Sequence, residues 1–452
     1  MFDKATLIEA LAVLVAVVAG GLAWRRFHPL SFWLCVGFPA RAVWLYATWQ
    51  HVASACKLTH KRRRWRVTLD SVPVLGAASR EATAIVERRH LRRVEIEKAP
   101  RLGLIRPSQH GWRLPIRLND GQIPDDFAKV AERLAHAWRA HAVRVLDSKP
   151  GKVVLIATRK DPLVTVPPVD PTPDDLLTVR PGVLENGRPW VIDFKTVPHW
   201  LFAGATQSGK STLLNAIIRG LAPQPVALVG FDLKGGVELT PYVVRMSALA
   251  TTRSACVRLL DGLVSELTHR MADCREHGVR NVWRLPEELR PIPIVAVVDE
   301  VAELFLIADK AEKEEVAKTS VALLRIAQLG RAFGVYLIVC GQRIGSDLGP
   351  GVTALRSQLS GRVCHRVNDP ETAAMTLGDM DPAALEAARA IPAETPGVAI
   401  VAGSDGSWHR ARSALTTEAD AEAAARANRH LTTPWAHLVR TGPRALPDDQ
   451  AA

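Results

Sequence analysis

The sequence predicts an α/β protein built on a parallel sheet with helices on both faces. Three observations predict it. A glycine-rich turn, Gly204-Ala-Thr-Gln-Ser-Gly-Lys-Ser211, is entered by an apolar segment (200–203) and left by a helix-like one (211–218). The run Ile294-Val-Ala-Val-Val298 is apolar throughout and rich in β-branched residues, as a strand buried on both faces must be. Similar runs at 226–231, 335–340 and 398–402 alternate with helical segments, which calls for crossover connections and parallel pairing.

In chain order, residues 1–66 read as a membrane anchor with a basic stop. Residues 10–24 carry no charge. At about 1.5 Å per residue they cross most of a hydrocarbon layer of ~30 Å. Arg25-Arg26 close this run, and a second apolar stretch fills 29–49 with Arg41 in its middle. Four tryptophans in the first fifty residues suit headgroup interfaces, and the basic block 57–66 suits the cytoplasmic side. One or two membrane helices fit. A secretory signal would begin with net positive charge, which Met1-Phe-Asp-Lys4 lacks. A buried soluble hairpin would need neither the aromatic flanks nor the basic stop.

Residues 67–180 read as a small α/β domain. Residues 112–118 alternate as a strand, and Asn119-Asp120-Gly121 is a turn. Asp125 or Asp126 caps a helix carrying Phe127, Val130, Ala131, Leu134 and Trp138 at helical spacing. Residues 152–157 form another strand, and five prolines between 162 and 173 mark a linker or strand edge. Residues 181–413 hold the principal sheet. Residues 414–452 supply one Ala-rich helix and a Pro-rich end.

A net charge of +12 points to a polyanionic partner, either nucleic acid or an anionic membrane face. The six cysteines form no C-x-x-C pair, so neither a zinc site nor a disulfide framework is indicated.

The turn at 204–211 has the composition of a phosphate cradle. Glycines let backbone N–H groups face the anion, and the helix start adds partial positive charge. Gly204, Ala205, Thr206, Gln207, Ser208, Gly209, Lys210, Ser211 and Thr212 are therefore the expected nucleotide-binding residues. Lys210 would reach the β- and γ-phosphates, and Ser211 would place its hydroxyl on Mg²⁺. Asp299 closes the 294–298 strand, where a carboxylate holds Mg²⁺. Glu300 beside it can orient and deprotonate an attacking water, which argues for hydrolysis of a nucleoside triphosphate such as ATP. Gln342 follows the 335–340 strand and can sense the γ-phosphate.

Together these motifs resemble the motor of the FtsK/SpoIIIE family of DNA translocases. Residues 199–212, Phe231-Asp-Leu-Lys234, 297–304, 329–337, Gly341-Gln-Arg343 and Leu377-Gly-Asp-Met380 carry the similarity. Through 391–400 and 405–412 the chain is most similar to the conjugative transfer proteins of actinobacterial plasmids and integrative elements, the TraB/TraSA type. The resemblance implies a RecA-like core in a homo-hexameric ring that pumps double-stranded DNA with ATP, preceded by a smaller α/β ring domain. It also implies an arginine supplied to the neighbour's γ-phosphate. Arg331 stands in the matching segment, with Arg325 second. Lys234, Arg343 and Arg356 follow strand ends or lie in loops, and are the candidate DNA contacts.

Three features depart from the family pattern. Gln207 replaces a loop glycine, and Gly341 stands where a threonine often precedes the glutamine. The residues after Ser413 are too few for the family's C-terminal winged helix. Base readout by that module is therefore not expected. Alternatives are a chromosome-partitioning translocase, a type VII-like protein secretion ATPase, and a membrane scaffold that binds nucleotide without hydrolysis. The single P-loop disfavours the secretion reading, and intact Lys210, Ser211, Asp299 and Glu300 disfavour the scaffold.

Overall fold

A computed structural model describes residues 4–75, 82–108, 110–167, 175–307, 312–345, 348–349, 351–378, 382–403 and 406–440. The chain divides into two compact units, Met1–Asp161 and Pro162–Ala452.

The first unit opens with α1 (Lys4–Phe27). His28 leaves helical geometry and Pro29 starts α2 (Pro29–Phe32), which passes through a π-type turn (Trp33–Gly37) into α3 (Phe38–Ala55). Large apolar side chains such as Val13, Val17, Leu22, Leu30 and Leu34 face outward. The stretch Pro29–Ala55 is long and apolar enough to cross a membrane. Its later part serves another purpose: Leu45, Trp49, Val52 and Ala53 share one core with Trp112, Phe127, Leu134 and Trp138. Packing is thus continuous across residue 66, where the anchor was expected to end. Arg41 donates to the Trp138 carbonyl, so its charge is turned toward a backbone acceptor and not into the apolar stripe.

Next, β1 (His60–Leu75) and β2 (Ala82–Lys98) pair as an antiparallel ribbon, which puts the basic block on a strand. The remaining sheet is antiparallel, ordered β3-β5-β7-β6 with β4 beside β5. Its strands are β3 (Arg101–Leu102), β4 (Arg106–Ser108), β5 (Gly111–Arg117), β6 (Ala142–Lys149) and β7 (Lys152–Thr158). The single helix expected from 125 is two short ones, α4 (Pro124–Ala128) and α5 (Ala131–Ala137). Phe127, Leu134 and Trp138 are buried as their spacing predicts.

The second unit is built on ten strands, ordered β12-β11-β13-β14-β10-β15-β16-β17-β8-β9 among the described residues. In chain order they are β8 (Thr178–Leu184), β9 (Pro189–Asp193), β10 (His199–Ala203), β11 (Ala227–Phe231), β12 (Met246–Ala250), β13 (Ile294–Val298), β14 (Val335–Gly341), β15 (Gly361–His365), β16 (Val398–Ala402) and β17 (Trp408–Ser413). From β12 to β15 neighbours are parallel; β16, β17, β8 and β9 extend the sheet antiparallel.

Helices α6 (Lys210–Leu221), α7 (Arg253–Glu276) and α9 (Glu312–Phe333) cover the sheet, with short α8 (Val301–Phe305) between the last two. Strand residues alternate strictly between the two faces. Phe202, Leu228, Val295, Val297 and Ile338 pack with α6, and Leu201, Val229, Ala296, Val298 and Val339 pack with α7 and α9. Two covered faces explain why these strands read as continuous apolar runs. Beyond β14 come α10 (Val352–Gln358), α11 (Pro370–Leu377) and α12 (Pro382–Arg389), and α13 (Glu418–Ala427) buries Ala421 and Ala425 beside α6.

Candidate active site

The turn between β10 and α6 is held from beneath and from the side. Gly209 caps α6 in the left-handed region (φ 104°), and Gln207 is also left-handed at φ 61°. A residue with a Cβ pays sterically there, which explains the glycine usual at that place. A Cβ on Gly204 would lie 2.7 Å from the Cβ of His365, so glycine lets the buried imidazole pack directly under the turn. That imidazole donates from Nδ1 to the Val398 carbonyl at 3.2 Å, and burial above all pushes its pKa down to about 4. It is therefore neutral at working pH. Arg366 clamps the loop, accepting Ala205 N–H on its carbonyl and donating to the Thr206 carbonyl.

Gly204, Ala205, Thr206, Gln207, Gly209, Lys210, Ser211 and Thr212 line one cavity of about 250 Å³ with Asp299 and Gln342. Ser208 is buried beneath the loop, outside that lining. Ser211 donates to Glu238 Oε2 at 3.4 Å. Asp299 is 3% exposed and Glu300 7%. Lys210 Nζ stands 3.6 Å from Glu300 Oε2, and the Gln342 N–H donates to Glu300 Oε1 at 3.3 Å. Burial raises the Asp299 pKa to about 6; Lys210 and Lys234 oppose the rise, while Glu238 and Asp232 add to it.

Lys234, expected among the DNA contacts, has its Nζ 3.3 Å from Glu300 Oε2 and 3.9 Å from Asp299 Oδ2, on the wall of the same cavity. Asp232 causes this. Its buried carboxylate accepts the N–H groups of Lys234, Glu238 and Leu239, and folds the left-handed Gly235-Gly236 turn back toward β13. Burial works to lower the Lys234 pKa, but Glu300 and Asp299 outweigh it and hold the ammonium charged.

Arg356 is half-buried and donates to the Ile344 carbonyl at 3.0 Å, which gives it a structural task. Arg343 is exposed beside Glu371 at 3.5 Å. Arg325 and Arg331 are exposed on α9. Arg331 precedes β14 while Gln342 follows it, about 20 Å apart at ~3.3 Å per strand residue. The chain does not bring Arg331 to its own cavity. Sequence reasoning missed Asp232, Glu238 and Pro396; the last lines the cavity from the turn before β16.

Residues 17–159 match the actinomycete conjugal transfer protein N-terminal domain, and residues 165–291 and 284–346 match the FtsK/SpoIIIE family. The chain is 39% identical over 377 residues to the transfer protein TraSA of Streptomyces ambofaciens, covering 81% of this chain and 87% of that protein. It is 33% identical over 207 residues to the DNA translocase SftA of Bacillus subtilis (strain 168), covering 42% of this chain and 21% of that one. Among solved structures, the pCW3 conjugation coupling protein TcpA, in its monomer form with ATPγS, aligns with a TM-score of 0.53 and 21% identity over 71% of this chain and 90% of that one. The shared fold is that of P-loop ATPases.

Proposed function

The chain belongs to the FtsK/SpoIIIE family in its actinomycete conjugal-transfer branch, and on that basis we propose that it is a membrane-anchored ATPase driving double-stranded DNA through a hexameric ring during conjugal transfer. One observation carries the reading. Lys210, Lys234, Asp299 and the turn amides converge on a single cavity at the carboxyl ends of β10, β11 and β13.

A triphosphate fits there, because the α6 N-terminus favours anionic charge and Lys210 adds a full cation. The residues also suit a divalent cation: Asp299 Oδ2 is buried with no hydrogen-bond partner among the described residues, and the Ser211 hydroxyl shares its wall. Mg²⁺ held by Ser211 and Asp299 would neutralise charge on the phosphoryl oxygens. Glu300, fixed by Lys210, Lys234 and the Gln342 amide, takes the proton of the attacking water. Gln342, on the wall of the same cavity, would sense the γ-phosphate. Arg331 serves the cavity of a neighbouring subunit, stabilising charge that develops there.

DNA as cargo rests on the named activity of SftA and on the +12 charge of this chain. Arg343 remains an exposed candidate for phosphate contact. The outward apolar side chains of α1 and α2 support the anchor. The test is ATP turnover with and without long duplex DNA. Several-fold stimulation by duplex is expected. Equal rates would remove the coupling to DNA, and turnover surviving Lys210→Ala would remove the site.

A further inference from the structure

Arg41, Arg139 and Arg159 line one cavity of about 430 Å³ in the first unit, together with Trp33, Gly37 and Trp44. No carboxylate is among the described residues lining it. Three guanidinium groups repel one another; the Trp138 carbonyl and the indole rings offset part of that repulsion, and an anion between them would offset it further.

The cavity is built by several independent features. The π-type turn Trp33–Gly37 widens the helix at this level, a distortion that recurs at functional sites. A Cβ on Gly37 would stand 2.6 Å from the Trp33 ring, so only glycine lets that indole lie back along the helix. Arg159 then stacks over Trp33 at 4.5 Å, and Arg41 over Trp44 at 4.3 Å. Arg139 is presented by the left-handed turn (φ 47°) that ends α5, closed by Ala140 N–H donating to the Ala135 carbonyl.

The surroundings select the kind of anion. Leu34, Val36 and Val43 are exposed on the same apolar helix, and indole rings beside cations are the chemistry of the headgroup level of a bilayer. A duplex presents a charge about every 1.7 Å and needs an extended polar surface, which a helix bearing these side chains does not offer. We propose that the Arg41–Arg139–Arg159 cavity binds the phosphate of an anionic lipid headgroup and so sets the depth of the first unit at the membrane. This rests on the membrane reading above.

The test uses the full chain in a neutral detergent, titrated calorimetrically with soluble dihexanoyl-phosphatidylglycerol and dihexanoyl-phosphatidylcholine. Inorganic phosphate and a short duplex are the further arms. Saturable binding of the glycerol lipid alone is expected, weakened tenfold or more in R139Q/R159Q. The charge-retaining R139K/R159K should stay within about threefold of wild type, and ATP turnover should be unchanged in both. Should the glutamine variant fail to fold, loss of lipid binding by wild type and the lysine variant in high salt reads the same site. Equal binding of both lipids, undiminished binding in R139Q/R159Q, inorganic phosphate binding as tightly as the lipid, or a loss confined to the duplex would each overturn the proposal. A chain that partitions away from membranes without detergent removes the membrane reading as well; one that partitions with membranes yet ignores headgroup charge removes this proposal alone.

Discussion

Gly209 and Gly397 meet backbone to backbone. A Cβ on Gly209 would stand 2.3 Å from the Gly397 nitrogen, whose N–H donates to the Ser208 carbonyl at 2.9 Å. The phosphate turn is thereby pinned by the turn that opens β16, an element of the antiparallel half of the sheet.

Gly397→Ala should weaken ATP binding about tenfold and lower the stability of the second unit. Gly397 has φ 85°, where an alanine costs about 1–2 kcal/mol. Its Cβ would also crowd Ser413 Oγ at 2.9 Å. Nucleotide titration and a urea midpoint read the two effects. Unchanged affinity would show that the pin is dispensable.

Lys234→Met should lower ATP turnover roughly tenfold or more, since Glu300 loses one of its two cations. Duplex affinity should stay within about twofold. A variant that loses DNA and keeps turnover would return Lys234 to the DNA surface.

Lys210→Ala and Glu300→Gln should separate binding from chemistry. The first loses turnover because the γ-phosphate loses its cation. The second still binds ATP but falls by about 10²–10⁴-fold in turnover, the usual contribution of a general base. Wild-type turnover in either variant would refute the assignment.

Asp299→Asn should stabilise the fold while abolishing turnover. Burial lifts Asp299 from 3.8 to about 6, so its ionised form opposes folding by up to about 3 kcal/mol. Because the folded pKa is the higher one, this penalty is absent below about pH 4, grows as pH rises through 6, and then levels off. The advantage of the variant over wild type should grow over the same window. His199 and His365, both pushed down to about 4 by burial, add an opposite rise common to the two proteins. Denaturant midpoints at pH 4, 5, 6 and 7.5 measure the difference; a constant one would refute the shift.

Truncation should discriminate between boundaries. A chain lacking residues 1–66 loses Leu45, Trp49 and Val52 from the core of the first unit, and should expose apolar surface to dye binding. A chain beginning at Pro162 should retain ATP binding by the second unit.

Local patterns made four of the six parallel strands (β10, β11, β13 and β14), the phosphate turn and the Asp299-Glu300 pair legible, because each is written within about ten residues. β12 and β15 were not read, and the run 398–402, expected to pair parallel, is the antiparallel β16. The antiparallel half was largely hidden. Strands at 178–184 and 189–193 are short and mixed in polarity, and β8 finds its partner β17 more than 200 residues later. The inward turn of Lys234 depends on three hydrogen bonds to one aspartate, which no spacing rule reveals. Arg41 looked like an interruption in a membrane span because its acceptor, the Trp138 carbonyl, lies 97 positions away.

The strand order also sets a schedule for synthesis. The strand that delivers the phosphate turn, β10, pairs on one side with residues from Leu337 and on the other from Gly361, so its nearer partner begins about 130 residues after it ends and its farther one about 160. At a ribosomal rate of about 5–20 residues per second, the nascent chain carries this largely apolar strand without its sheet partners for roughly 7–30 seconds. The segment that carries the phosphate turn thus waits for strands made well after it, and needs shelter in the meantime.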